Sequence, residues 1–156
     1  MQEERRIISV IVVNEASVLA RIAGLFAARG YNIDSLTVAP IPESKYSRIT
    51  IATQGSTRVI EQIVKQLHKL IPVLKVIEHE ELVEKEMALV KFPITESLSD
   101  VSTLCEAYNG KIVNVGKDLI IAMVADEPQR VGFFLEAVQT FNPKEIVRSG
   151  VVALER

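Results

Sequence analysis

Two rhythms of apolar residues alternate along this chain. Residues 7–13 (IISVIVV) are β-branched and almost wholly apolar, as in a strand covered on at least one face. Residues 14–17 (NEAS) supply turn and cap types. Val18, Leu19, Ile22, Leu25 and Phe26 then recur at helical spacing as one stripe. Gly30, just after Arg29, is a helix stop that uses the left-handed conformation glycine tolerates. Residues 33–39 (IDSLTVA) read as a strand. Pro40, Pro42, Glu43 and Ser44 read as its connection, and residues 46–53 (YSRITIAT) alternate as a strand returning on it. Gly55 and Ser56 open a second helix with the stripe Val59, Ile60, Ile63, Val64, Leu67, Leu70 and Ile71, and Pro72 ends it. Residues 73–80 form a fourth strand. The order β-α-β-β-α-β is the split βαβ, or ferredoxin-like, arrangement.

The second half repeats that order. Residues 87–92 are strand-like and 93–97 turn. Val101, Leu104, Cys105 and Tyr108 form a helical stripe that stops near Asn109 and Gly110. Residues 111–115 and 118–125 read as a hairpin around Gly116. Pro128 stands at a helix start, where its missing N–H costs nothing. Val131, Phe134, Leu135 and Val138 carry that helix's stripe, and residues 146–154 close the set. The stretch 25–36 (LFAARGYNIDSL) lies over 104–115 (LCEAYNGKIVNV) without a gap, with coincident apolar positions. The expected fold is therefore α+β: two ferredoxin-like βαββαβ domains, residues 1–80 and 81–156, joined around residues 81–86 (ELVEKE).

Composition narrows the function. With 156 residues, 48% hydrophobic and 24% charged, the chain can bury a core. A formal net charge of -2 without a block of like charge argues against nucleic acid or a membrane surface as partner. Cys105 is the one cysteine, so no disulfide forms within the chain and a reducing, cytoplasmic setting is expected. No apolar run approaches the roughly 20 residues that span a bilayer.

Catalytic chemistry is hard to find. His68 and His79 are too far apart to be a local metal-ligand pair, and each reads as an ordinary surface or half-buried histidine. Cys105, beside Leu104 on a helical stripe, reads as core. The acid pairs Glu80/Glu81 and Glu84/Glu86 read as solvated linker charge. An RNA-recognition module shares the βαββαβ order but needs aromatic residues on its central strands, and the matching runs here, residues 8–13 (ISVIVV) and 47–54 (SRITIATQ), contain none. What remains is the junction of residues 14–19 (NEASVL). A helix N-terminus offers free N–H groups and partial positive charge, suited to a carboxylate. Asn14 and a second asparagine, Asn32, have oxygens that suit an ammonium group, and Ile33 adds an apolar wall. Together they suit a free amino acid. A plain turn at Asn14 and an N-cap at Ser17 fit the same residues.

Residues 8–14 (ISVIVVN), 25–40 (LFAARGYNIDSLTVAP), 47–53 (SRITIAT), 61–70 (EQIVKQLHKL) and 148–152 (RSGVV) closely resemble the small, regulatory subunits of acetolactate synthase, also called acetohydroxyacid synthase. The resemblance covers nearly the whole chain, more loosely over residues 91–145. It implies an N-terminal ACT domain for effector sensing and dimerisation, then a second ferredoxin-like domain. It implies a homodimer that binds a large catalytic subunit carrying thiamine diphosphate, magnesium and FAD, none of them on this chain. It further implies activation of that subunit and feedback inhibition by valine or a related branched-chain amino acid. The implied effector site uses Asn14, Ser17 and Val18 of one copy and Asn32 and Ile33 of its neighbour. Ser17 departs from the family's usual glycine, so an activating partner insensitive to valine is the alternative expectation. Lys65 and Lys69 are candidates for the surface that meets the large subunit.

Overall fold

In the computed structural model, which describes residues 2–78 and 80–156, the chain forms two compact units. One contains the residues up to Val83 together with Ala153–Arg156, and the other is Glu84–Val152. His79, expected in the fourth strand, lies outside the described residues.

The first unit runs β1 (Glu4–Val13), α1 (Ala16–Arg29), β2 (Asn32–Pro40), β3 (Tyr46–Gly55), α2 (Thr57–His68) and β4 (Val73–Glu78). Its strands pair antiparallel in the order β2-β3-β1-β4. Alternate residues of the two central strands, Ile8, Val10 and Val12 of β1 and Ile49 and Ile51 of β3, join Val18, Ile22 and Phe26 of α1 and Ile60, Ile63 and Leu67 of α2 in one core. The period of two on the strands thus meets the period of 3.6 on the helices. Ser56 caps α2 by accepting from the Val59 N–H at 3.3 Å. That helix ends at His68, earlier than the apolar stripe suggests. Proline at 72 disfavours helix for the residue before it, and the chain turns there. Leu70 still packs on the core, whereas Ile71 is 94% exposed.

The second unit uses β5 (Leu82–Pro93), α3 (Leu98–Ala107), β6 (Gly110–Val115), β7 (Leu119–Asp126), α4 (Pro128–Ala137), a short 3-10 turn (Val138–Phe141) and β8 (Glu145–Arg148). The order β6-β7-β5-β8 matches that of the first sheet. Ala88, Val90, Phe92, Ile120, Ala122 and Val124 pack on Val101, Cys105, Val131 and Phe134.

The internal repeat extends to the backbone. Gly30 and Asn109, which coincide in the sequence overlay, are both left-handed, at φ 66 and φ 59. The register of β2 against β3 shifts between Ile33 and Ser35, and that of β6 against β7 between Ile112 and Asn114, again coincident positions.

Two expectations need correction. Residues 82–86 are not a solvated linker but the first half of β5. Glu86 is buried there and paired with Arg148, which is what lets an acidic segment enter a sheet. Residues 146–154 are not one strand but β8 and a separate β9 (Val152–Glu155). Ser149 makes the break: its N–H donates to the Met87 carbonyl at 2.8 Å, and its Oγ accepts from the Met87 N–H at 2.9 Å, where a ladder carbonyl would otherwise sit. Strand β9 pairs with β5, the Arg156 N–H reaches Glu81 O at 3.3 Å, and Arg48 Nη2 donates to Ala153 O at 3.1 Å. These contacts set the last four residues in the first unit.

Candidate functional site

The loop that leaves β1 is held from both sides. The Val13 N–H donates to Pro72 O at 3.0 Å and the Asn14 N–H to Lys45 O at 3.1 Å. Glu15 is the N-cap residue of α1, extended at φ -126 and ψ 146, and its side chain caps nothing. Ser17 is therefore not an N-cap. It is the second residue of the helix, exposed, and its hydroxyl bonds to nothing among the described residues. It is also absent from the left-handed positions, so glycine is not required there for conformation. Replacing glycine by serine at this point adds only a hydroxymethyl group over the first turn. The N–H groups of Ala16 and Ser17 have no acceptor among the described residues, and the first turn carries no acid. This end of the unit presents partial positive charge and open donors, with the Asn14 amide beside them.

Val18 differs from its neighbours. Its side chain is in the core, and its N–H is already bonded to Glu15 O at 3.3 Å. It supports the turn from beneath.

Asn32 and Ile33 lie elsewhere. Asn32 pairs with Gln54 at one end of β3, whereas Val13, next to Asn14, pairs with Tyr46 at the other. The two places are eight residues apart along β3, roughly 27 Å at strand rise. One chain therefore does not bring Asn14, Ser17 and Val18 together with Asn32 and Ile33. The Asn32 amide donates to Asp34, its carbonyl accepts from the buried Thr53 hydroxyl, and Ile33 packs half-buried on the core. The Asn32 Oδ1 remains available.

Sequence reasoning missed the polar cluster of the second unit. Asp126, at the end of β7, takes the Glu127 N–H at 2.8 Å, Arg130 Nε at 2.7 Å, Lys85 Nζ at 3.1 Å and Asn109 Nδ2 at 3.0 Å. Burial alone would raise its pKa, but these donors outweigh that and hold the carboxyl well below the usual carboxylate range. Beside it Arg148 bonds to Glu86 and to Pro128 O. The arginine of the RSGVV run thus ties β8 to β5 and to the start of α4. Cys105 is fully buried, and burial pushes its thiol pKa up, as a packing residue requires. Among the described residues no three His, Cys, Asp or Glu are grouped to hold a metal ion, and no helix is long and apolar enough to cross a membrane.

The fold defines a class, a pair of ferredoxin-like βαββαβ units, the first with an uncapped helix end at Ala16 and Ser17. The comparisons agree: a family model described as the AHAS small subunit-like ACT domain matches residues 8–75, and one described as the small subunit of acetolactate synthase matches residues 85–156. The chain is 42% identical over 156 residues to the acetolactate synthase isozyme 3 small subunit of Escherichia coli, covering 97% of this chain and 96% of that one. It is 39% identical over 151 residues to the probable acetolactate synthase small subunit of Archaeoglobus fulgidus, covering 96% and 95%. The crystal structure of the acetolactate synthase small subunit from Thermotoga maritima superposes with a TM-score of 0.90, at 35% identity and 98% coverage of both chains. The chain belongs to the acetolactate synthase small-subunit family.

Proposed function

We propose that this chain is the non-catalytic regulatory subunit of an acetolactate synthase. As a homodimer it binds the large subunit, which holds thiamine diphosphate, magnesium and FAD. It raises that subunit's activity, and it makes the complex sensitive to valine or a related branched-chain amino acid. The observation that carries the effector reading is the open helix N-terminus at Ala16 and Ser17, with the Asn14 amide beside it. A carboxylate fits the free N–H groups, and the asparagine oxygens fit an ammonium group.

The opposite placement of Asn32 and Ile33 supports a site shared between copies. A twofold axis that sets the Asn14 end of one copy against the Asn32 end of the other completes two equivalent sites per dimer. Effector binding then reports on the dimer's arrangement. An effector that favours the less active arrangement lowers turnover by linkage, with a coupling of roughly 1–3 kcal/mol.

Valine titrated into the complex reconstituted with its large subunit tests this reading, with acetolactate formation as readout. Addition of the chain is expected to raise the rate, and valine to lower it. Absence of enhancement sinks the regulatory reading. A second reading, a constitutive activator blind to valine, is favoured by the exposed hydroxymethyl of Ser17 over the first turn. Ser17→Gly separates the two. A valine response that appears only in the variant supports the second reading, and equal responses in both chains support the first.

A further inference from the structure

An isoleucine stands almost wholly in solvent at one corner of the first unit. The turn between α2 and β4 is closed by the Val73 N–H, which donates to Leu70 O at 3.0 Å, with Ile71 and Pro72 between them. Leu70 and Val73 pack on the core on either side, which holds the Ile71 side chain outward, 94% exposed. Leu74 joins it by a different device. The pairing of β4 with β1 passes from Ile11 opposite Lys75 to Val12 opposite Val73, so Leu74 is the extra residue of a β-bulge, and it is 61% exposed. Both apolar side chains are thus turned out by backbone that hydrogen bonds hold in place. Strand β4 is also the edge of its sheet, where a bulge works against the addition of a further strand. Whatever meets this corner meets it through side chains.

The charges around the pair select the occupant. Residues 69–77 (KLIPVLKVI) contain two charged side chains, Lys69 and Lys75. Both are exposed cations, and neither is in an ion pair among the described residues. A twofold contact of this corner with itself sets cations against cations, which disfavours a second copy as the occupant. A protein surface with an apolar recess ringed by carboxylates fits instead. The corner is also bonded to the candidate effector loop, because Pro72 O accepts from the N–H of Val13, the residue before Asn14, at 3.0 Å. We propose that Ile71 and Leu74 are the apolar centre of the surface by which this chain holds the large subunit, entering an apolar recess ringed by carboxylates. The inference rests on the regulatory reading above and gives it a surface. Through the bond between Val13 and Pro72, an effector at Asn14 and a partner seated on Ile71 act on the same turn.

Full-length chains carrying Ile71→Asp or Leu74→Asp test the surface, with wild type and Ile71→Leu beside them. Both positions are exposed, so neither aspartate disturbs the core. The readout is the chain concentration that gives half-maximal stimulation of the large subunit. Each aspartate should raise it at least about tenfold, as for a residue at the centre of an interface, and Ile71→Leu should keep it near wild type. Sedimentation of the isolated chains and their calorimetric response to valine should stay as in wild type. Lys69→Gln and Lys75→Gln together should flatten the salt dependence of stimulation, and an unchanged salt slope overturns the carboxylate ring. Stimulation by both aspartate variants at wild-type concentrations overturns the surface and leaves the regulatory reading standing. A wild-type chain that stimulates nothing removes that reading, and the inference with it. Aspartate variants that sediment as monomers beside a dimeric wild type assign the corner to a second copy, and the inference falls.

Discussion

At the scale of single residues, the contrast between Ser17 and Asp126 shows what a side chain's surroundings decide. Ser17, where the resemblance implies a glycine, makes no side-chain hydrogen bond among the described residues and sits in ordinary helical backbone, so any effect is on what approaches it from outside. Asp126 is exposed in neither side chain nor role: it gathers one backbone and three side-chain donors at the start of α4. Its depressed pKa means that its contribution to stability is complete above the unfolded carboxyl value of about 3.9 and is lost as pH falls through the lower folded value. Asp126→Asn should cost about 2 kcal/mol at pH 7, toward the lower end for charged bonds because Lys85 and Arg130 are half exposed. Urea unfolding of wild type and variant should show the gap narrowing as pH drops below about 4. An equal gap at pH 7 and at the lowest pH the fold tolerates rules out the charge as its source.

At the scale of elements, the repeat makes each unit a control for the other. Gly30 and Asn109 end α1 and α3 with the same left-handed residue, one by glycine and one by the side chain most tolerant of that conformation. A Cβ at Gly30 meets nothing within 4 Å, so Gly30→Ala should cost only the backbone strain, about 1 kcal/mol, and Gly30→Asn less. Gly110 is the opposite case. Its backbone is not left-handed, yet a Cβ there would lie 2.6 Å from the Met123 carbonyl, held in the β7 ladder. Gly110→Ala should therefore cost more than Gly30→Ala, about 2–3 kcal/mol, as the β6–β7 pairing is forced apart. Thermal or urea unfolding of the three variants gives the ranking. The helices and central strands were legible in the sequence because their periods of 3.6 and 2 recur undisturbed, and the left-handed stop at Gly30 was legible from residue type. The start of β5 was not, since Lys85 and Glu86 look like loop residues until Asp126 and Arg148, dozens of residues away, supply their partners. The break at Ser149 was hidden for a similar reason: a hydroxyl standing in for a carbonyl leaves no mark on hydrophobic periodicity.

At the scale of the whole molecule, the candidate site was legible as residue types but not as a place. Asn14 and Asn32 are eighteen positions apart in sequence, which suggests proximity, yet helix α1 runs the length of the sheet between them and leaves them at opposite ends. No rearrangement short of unfolding β1 and β3 joins them in one chain, because both strands are held in continuous register along the core. A site that uses both asparagines has to borrow one from a second copy, and this arrangement can be tested by complementation. Asn14→Ala alone and Asn32→Ala alone should each abolish the valine response of the reconstituted complex while leaving its activation intact. When the two variant chains are unfolded together and refolded, random pairing makes half of the dimers mixed, and each mixed dimer has one site with both asparagines and one with neither. About a quarter of all sites should then recover valine binding, read by calorimetry on the mixture. Recovery in the mixture but in neither parent is expected only of a site shared between copies. If both parents and mixture stay silent while wild type refolded in parallel responds, the two asparagines act within one chain or through separate sites, and the shared site is wrong.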